Sequence, residues 1–298
     1  MKWPLFSYGK AIFIGAAMTN KIVVITGAST GIGAACAHRL DQMGFQVFAG
    51  VRKISDGEAL QQQSRHGLTP LYLDVTEPES IAAAKEVVAA AVGPAGLAGL
   101  VNNAGVATGG PLEFVALADL RWQLEVNVIG QVAVTQAFLP HLRQGRGRII
   151  NIGSIGGRSA SPFLGPYVAS KFALEALTDS LRLELAPWGI DVVIIEPGEI
   201  ATPIWRKGAD KIDQILANYP PQAQELYGPI ISMMRKMLTK AGGLPADEVA
   251  KVVAQALTAK RPKTRYLVGR DAKVRVWLER LPDRWRDKII AGKLPDYG

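Results

Sequence analysis

KIVVITGASTGIG, residues 21–33, runs from a short β-branched segment through a glycine-rich turn into a helical stretch. Glycines at 27, 31 and 33 allow a tight turn and let main-chain N–H groups approach an anion at a helix N-terminus. The spacing differs from G-x-G-x-x-G, although the strand–turn–helix setting is the same. A lone glycine cluster is usually just a turn; its place at the first β–α junction is what points to phosphate. Downstream the alternation repeats. FQVFAGV (45–51), LTPLYLDV (68–75), LAGLVNN (97–103), GRIINIG (147–153) and IDVVIIEP (190–197) are short and rich in β-branched residues. Helical runs lie between them, several closed by glycines such as Gly44 and Gly189. Continuously apolar strands separated by helices predict a parallel sheet covered on both faces.

The 298 residues suit one large α/β domain or two small ones, and 48% hydrophobic against 20% charged residues allow a sizeable core. The formal charge of +8 is scattered, with a denser share towards the C-terminus. No recognition helix, zinc finger or aromatic RNA-binding pattern accompanies it, so nucleic acid is not an expected partner. A modest pull on anionic ligands or membrane surfaces fits the charge equally well. The single cysteine, Cys36, excludes an intrachain disulfide and a thiolate metal cage. His38, His66 and His141 show no ligand spacing, so no metal is expected.

Residues 1–20, MKWPLFSYGKAIFIGAAMTN, are apolar and precede the fold. Lys10 interrupts the run, which falls short of the ~20 residues of a spanning helix. With Trp3, Phe6, Tyr8 and Phe13 it reads as an ordered or peripheral arm. An interfacial anchor, a signal-like segment and extra sequence ahead of a start at Met18 are the alternatives. The expected location is cytoplasmic, with a peripheral membrane contact as an extension of that reading.

After residue 203 the character changes. Residues 204–245 carry prolines, methionines and mixed charge without a strand, and read as an insertion over the active site. Ile204, Trp205, Leu216, Tyr219, Leu226, Tyr227, Ile230, Ile231, Met233, Met234 and Met237 make it apolar, as suits a lid that adapts to bulky ligands. The same residues would equally pack a helix. A helix over 246–260 and a strand, TRYLVG (264–269), follow. In the tail, 270–298, Trp277, Leu281, Trp285 and Ile289 recur at near-helical spacing among basic residues, predicting a packed or interfacial helix pair.

Two features carry chemistry. The second strand ends in FAGVRK, placing Arg52 where an acidic residue would be wanted for a free ribose 2′-hydroxyl. An arginine fork suits a 2′-phosphate, so NADP(H) is preferred and NAD(H) stays as the alternative, with Lys53 the next suspect for reading the phosphate. Tyr167 and Lys171, in GPYVASKFALEAL (165–177), lie one helical turn apart and can act on one small space. Alone, such a pair is as readily a helix edge.

TGASTGIG (26–33), LDV (73–75), NNAG (102–105), Asn127 in EVNVIG, Ser154 in NIGSIGG, YVASK (167–171) and EPGEIAT (196–202) occur in one order. Together they resemble the classical branch of the short-chain dehydrogenase/reductase family, over residues 21 to about 202. The resemblance implies a single-domain, Rossmann-type, doubly wound parallel sheet of seven strands over 21–298, extended by the C-terminal lid. It implies Tyr167 as the proton donor to a carbonyl, or acceptor from an alcohol, with Lys171 and the oxidised nicotinamide lowering its pKa. Ser154 would hold the substrate oxygen, and Asn127 would support a water relay to the lysine. For the cofactor it implies Gly27, Ser29, Thr30, Gly31, Ile32 and Gly33 at the phosphates, Asp74 and Val75 beside the adenine, and Asn103, Ala104 and Gly105 along the ribose. Tyr167 and Lys171 would also touch the nicotinamide ribose, while Pro197, Gly198, Ile200 and Thr202 hold the carboxamide. Glu199 departs from the small or apolar residue expected there.

The length and the ending around RYLVGRDAK look more like hydroxysteroid or retinol dehydrogenases than acyl-carrier-protein reductases. A lipophilic alcohol or ketone is the expected substrate. A small carbonyl, a 3-oxoacyl thioester and a non-catalytic NADP(H) sensor are the alternatives. The family often forms homodimers or homotetramers, and that assembly is expected here.

Overall fold

The computed structural model of the protein describes residues 22–204, 219–239, 242–292 and 294. Its centre is a seven-stranded, wholly parallel sheet of β1 (Ile22–Ile25), β2 (Gln46–Val51), β3 (Leu68–Tyr72), β4 (Gly99–Asn102), β5 (Arg148–Ile152), β6 (Val192–Pro197) and β9 (Arg265–Val268). The spatial order is β3-β2-β1-β4-β5-β6-β9. The chain thus winds outward from β1 to β3, then returns to place β4 on the other side of β1. Crossover connections at that reversal leave a crevice beyond the carboxyl ends of β1 and β4.

Helices cover both faces because successive side chains of each strand point to opposite sides. Val23 and Ile25 pack in one apolar cluster with α1 (Gly31–Gln42) and α8 (Ala246–Thr258). Val24 and Leu100 face the other cluster, with α3 (Pro78–Val92) and α5 (Gly130–Gly145). A two-pronged ion pair, Arg39 to Asp247 at 2.7–2.9 Å, ties α1 to α8. The remaining helices are α2 (Ile54–Gln61), α4 (Leu117–Leu124), α6 (Gly165–Leu185), α7 (Pro221–Thr239), α9 (Arg270–Leu278) and α10 (Asp283–Ala291).

Two buried asparagines inside the sheet are joined through their amide N–H groups, although Asn102 Oδ1 finds no partner among the described residues. Asn102 and Asn151 face each other across β4 and β5. The Asn102 amide donates to Thr135 Oγ1 and Asn151 Oδ1, each at 2.9 Å, and Asn151 Nδ2 donates to Thr178 Oγ1 at 2.8 Å. This welds the two strands to α5 and α6 beneath the crevice, where an unpaired amide would be costly.

One local expectation is corrected. The 204–245 segment contains a strand after all: β8 (Leu244–Pro245) pairs in parallel with β7 (Ile200–Ala201). The tail forms a pair of helices, with Pro282 preceding the second and separating α9 from α10. Trp277 and Trp285 stand 59% and 67% exposed, so neither indole packs into the body of the protein. No described helix is long and apolar enough to cross a membrane. The 1–20 arm, with Trp205 and Leu216 of the 204–245 segment, lies outside the described residues.

Candidate active site

Three chain segments converge at the crevice: the turn after β1, the end of β5, and the N-terminal half of α6. They enclose a cavity of about 350 Å³. Gly27, Ser29, Thr30, Gly31 and Ile32 line one end with Arg52, Asp74 and Val75. Asn103, Ala104 and Gly105 form the middle. Ser154, Tyr167, Lys171, Pro197, Gly198, Ile200 and Thr202 line the other end. Two of the expected residues do not line it. Gly33 lies one turn into α1, and a Cβ there would stand 2.4 Å from the Gly27 carbonyl oxygen and 2.5 Å from Asn103 Nδ2. Its part is to let the helix close on the turn.

Asn127, fully buried, is the second. It sits in a single π-helical turn, Glu125–Ile129, between α4 and α5. Its Oδ1 accepts from Val106 N at 2.8 Å, and its Nδ2 donates to Val106 O and Ser170 Oγ, each at 3.0 Å. The side chain is therefore fully used in pinning the β4–α4 loop to α6. π-turns of this kind recur at functional sites.

The cavity fits a dinucleotide on its own geometry. Gly27 and Gly31 hold φ of +63° and +60°, conformations that glycine adopts without strain. A Cβ at Gly27 would lie 2.8 Å from Ala104 Cα, so the turn is drawn against the neighbouring strand end, with the Ala28 amide anchored on Gly50 O at 2.8 Å. Arg52 is exposed at the rim, and among the described residues no ion pair occupies it. Asp74 gives its carboxylate to Thr76, at 3.0 Å from the amide and 2.7 Å from the hydroxyl, and keeps its backbone on the cleft. Glu199 is exposed; its amide donates to Asp271 Oδ2 at 2.7 Å and its carbonyl accepts from Leu244 N at 2.9 Å. Only its backbone shapes the loop, and its charge stays in solvent.

At the reacting end, Ser154 Oγ accepts from Gly156 N at 3.0 Å and hydrogen-bonds the Tyr167 phenol. Lys171 Nζ donates to Ile152 O at 2.8 Å and lies 5.9 Å from the centre of the Tyr167 ring. All three side chains are buried. Burial raises the Tyr167 phenol above its ordinary value, with the Ser154 hydrogen bond working against it. Burial also brings Lys171 down to about 8, opposed by Glu175 one turn further on, so the lysine is still largely an ammonium at neutral pH. A phenol that keeps its proton suits proton donation.

Sequence reasoning missed the clamps behind the site. Gln123 accepts from Thr108 N and donates to Val106 O, both at 2.7 Å, and Gln131 Nε2 donates to Ala104 O at 3.0 Å. Their only local signal is a glutamine on a helix, which by itself says nothing. Also unforeseen were Val106, Trp122 and Val126, apolar residues that line the same cavity as Tyr167, together with Ile204.

The short chain dehydrogenase family profile matches residues 21–213. Retinol dehydrogenase 5 of Mus musculus is 39% identical over 289 residues, spanning 93% of this chain and 90% of that protein. The 17-beta-hydroxysteroid dehydrogenase type 6 of Bos taurus is 39% identical over 287 residues, spanning 93% and 90%. Among solved structures, a short chain dehydrogenase from Burkholderia cenocepacia in complex with NADP superposes with a TM-score of 0.71 at 25% identity, covering 94% of this chain and all of that one. With the parallel seven-stranded sheet, the glycine turn and the buried Ser–Tyr–Lys cluster in one crevice, the chain belongs to the short-chain dehydrogenase family, oxidoreductases acting on CH–OH groups.

Proposed function

We propose that the protein interconverts a lipophilic alcohol and its ketone or aldehyde, with NADP(H) as the preferred partner and NAD(H) as the weaker one. The observation that carries this reading is the juxtaposition of the Ser154–Tyr167 hydroxyl pair with an apolar wall of Val106, Trp122, Val126 and Ile204 in one cleft. The glycine turn would hold the cofactor's phosphates and the Pro197–Thr202 segment its carboxamide, and the nicotinamide would there supply or accept the hydride. Ser154 Oγ holds the substrate oxygen, and the Tyr167 hydroxyl gives that oxygen its proton, or takes it back in the oxidative direction. Lys171 places a positive charge beside the phenol as the proton leaves. Asn127 acts at one remove, by fixing the Val106 loop and Ser170 behind Lys171. Arg52 would fork onto a 2′-phosphate.

The names of the retinol and hydroxysteroid relatives support a lipophilic substrate. So does the aromatic cluster of the 204–245 segment, in which Tyr219 and Tyr227 pack on Phe114, each with ring centres 5.9 Å from it. Steroids, retinoids, small aromatic ketones and a 3-oxoacyl thioester, each with NADPH and NADH, test the reading. Turnover confined to the bulky apolar members agrees with it. Turnover confined to small ketones or the thioester would overturn the substrate class.

Two further parts of the reading concern surroundings. Trp277, Trp285 and Ile289 are exposed beside Arg270, Lys273, Arg280, Arg284 and Lys288 on α9 and α10, a pattern suited to an anionic membrane surface. Protein that stays in the soluble fraction in flotation with anionic liposomes would remove that contact. Assembly into a homodimer or homotetramer accords with exposed Leu117, Phe172 and Leu183 on α4 and α6, and light scattering reads it.

A further inference from the structure

Behind Lys171 lies a group of charges that the reaction as described does not use. Glu175, one turn along α6 from Lys171, is nine-tenths buried, and Glu196, at the end of β6 just before the Pro197–Gly198 loop, is fully buried. Each leaves its Oε1 shut from solvent without a conventional donor, and both carboxyl groups stand against the same Arg265 Nε, at 3.1 and 3.3 Å. Two carboxylates crowded together in this way repel; a carboxyl and a carboxylate can instead share a hydrogen bond, because one of them then has a proton to donate.

Charged neighbours surround the pair. Arg265 Nε, from β9, lies 3.1 Å from Glu175 Oε2 and 3.3 Å from Glu196 Oε1, while its Nη2 donates to Asp179 Oδ2 at 2.6 Å. Arg158, after the Ser154 loop, reaches Glu196 Oε2 at 3.5 Å, and Arg182 pairs with Asp179 on its outer side. Facing the buried pair are therefore Lys171 and Asp179 from α6, Arg265 from β9 and Arg158 from the loop. Glu175 and Glu196 stand side by side within this cluster, and one proton held between them relieves their mutual repulsion. The Ser154 loop packs directly on the cluster: a Cβ at Gly157 would stand 3.0 Å from Glu175 Cγ and 2.9 Å from the Lys171 carbonyl oxygen.

We propose that Glu175 and Glu196 share one proton and that this pair is a positioning element for Lys171, its negative charge holding the buried lysine in the ammonium form. Burial and the neighbouring Glu196 push the Glu175 carboxyl up to about 7, against Arg265, and Glu175 is the charge that opposes the burial of Lys171. The two titrations are therefore linked in sequence. As pH climbs towards the value at which Lys171 would lose its proton, the pair gives up its own first, and the added negative charge keeps the ammonium in place. The device widens the pH range over which Tyr167 has a cation beside it. It rests on the proposed roles of Tyr167 and Lys171 for its meaning in turnover, but the shared proton itself can be observed without a substrate.

The test uses the full chain with carbon-13 in the glutamate carboxyls and nitrogen-15 in the lysine side chains, followed by NMR from pH 5 to about 10. Glu175→Gln keeps the shape and the hydrogen bond to Glu196; Lys171→Met identifies the Lys171 signal. The expected result is one carboxyl resonance titrating near neutrality, lost in Glu175→Gln. The Lys171 titration in that variant should move to lower pH by about one unit. The alkaline limb of carbonyl reduction should move with it, while Asp179→Asn, which alters the outer edge of the cluster, moves both much less. Absence of any glutamate titrating near neutrality in the parent protein would overturn the shared proton. A Lys171 titration unchanged in Glu175→Gln would overturn the positioning role, whatever the variant does to melting temperature. Failure of the parent to turn over any carbonyl would sink the functional reading alone, since both NMR titrations would still be read.

Discussion

Replacing Gly33 by alanine tests the geometry of the glycine turn. In an ordinary helix interior this change is stabilising by about 0.5–1 kcal/mol, because alanine has less backbone freedom to lose. Here the new methyl would lie 2.4 Å from the Gly27 carbonyl oxygen, 2.5 Å from Asn103 Nδ2 and 3.0 Å from Ala28 Cα. Neither near neighbour yields easily. Gly27 is backbone, and Asn103 Nδ2 is held by Thr26 O at 2.9 Å and Gly27 O at 3.0 Å. Relief requires the start of α1 to move by roughly 1 Å, an overpacking cost of about 1–3 kcal/mol. The same movement withdraws helix-end amides from the phosphate site, and losing one hydrogen bond to a charged group is worth about 1.5–3 kcal/mol, or roughly 10- to 150-fold in Kd. Thermal melts and NADPH fluorescence titrations read the two effects. Gly93→Ala is the control: with φ of +48° and nothing within 4 Å of its Cβ, it should cost about 1 kcal/mol through strain and leave Kd unchanged. A Gly33→Ala protein that melts no lower and binds NADPH as the parent does would refute the close packing of turn and helix.

Arg52→Asp should shift preference towards NADH by at least about tenfold, through loss of a charge-assisted contact and added repulsion. An unchanged NADPH-to-NADH affinity ratio would move the 2′-phosphate contact to Lys53. Lys171→Met should remove turnover yet raise stability at pH 7 by on the order of 2–3 kcal/mol, because it deletes a charge that burial disfavours. The sign follows from a folded pKa of about 8, below the ordinary lysine value of 10.5. Between those values the unfolded chain binds more protons, so the lysine's contribution makes the parent gain stability as pH rises through that window. Melts of parent and variant across that window check it, and a difference that stays flat with pH would contradict it.

The fold was largely legible because its signals are local. Apolar strands and closing glycines occur within single short windows, and the resemblance read from ordered motifs added the seven-strand count. Arg52 could be placed because strand end and cofactor edge coincide in the sequence. Tyr167 and Lys171 could be paired because helical geometry puts them on one face. What escaped depends on contacts between distant segments. The Asn102–Asn151–Thr178 ladder, the Gln123 and Gln131 clamps and the Glu175–Glu196 pair each join residues that no period relates. The rise of the Tyr167 pKa escaped for a related reason: a pattern reveals that a lysine is near, but not that the phenol itself is buried. The β7–β8 pair was hidden by its length, two residues a strand, one ending in proline.

The central claim is that the Tyr167 hydroxyl, held by Ser154 and backed by Lys171, moves the proton of the reaction. The most direct measurement compares parent and Tyr167→Phe protein for NADPH binding and for NADPH oxidation with the best carbonyl of the panel. The phenyl ring keeps the packing and removes only the hydroxyl. The account predicts NADPH affinity within about threefold of the parent and turnover lower by roughly 10²–10⁴-fold. A variant that binds NADPH and still turns over within a few-fold of the parent would contradict it.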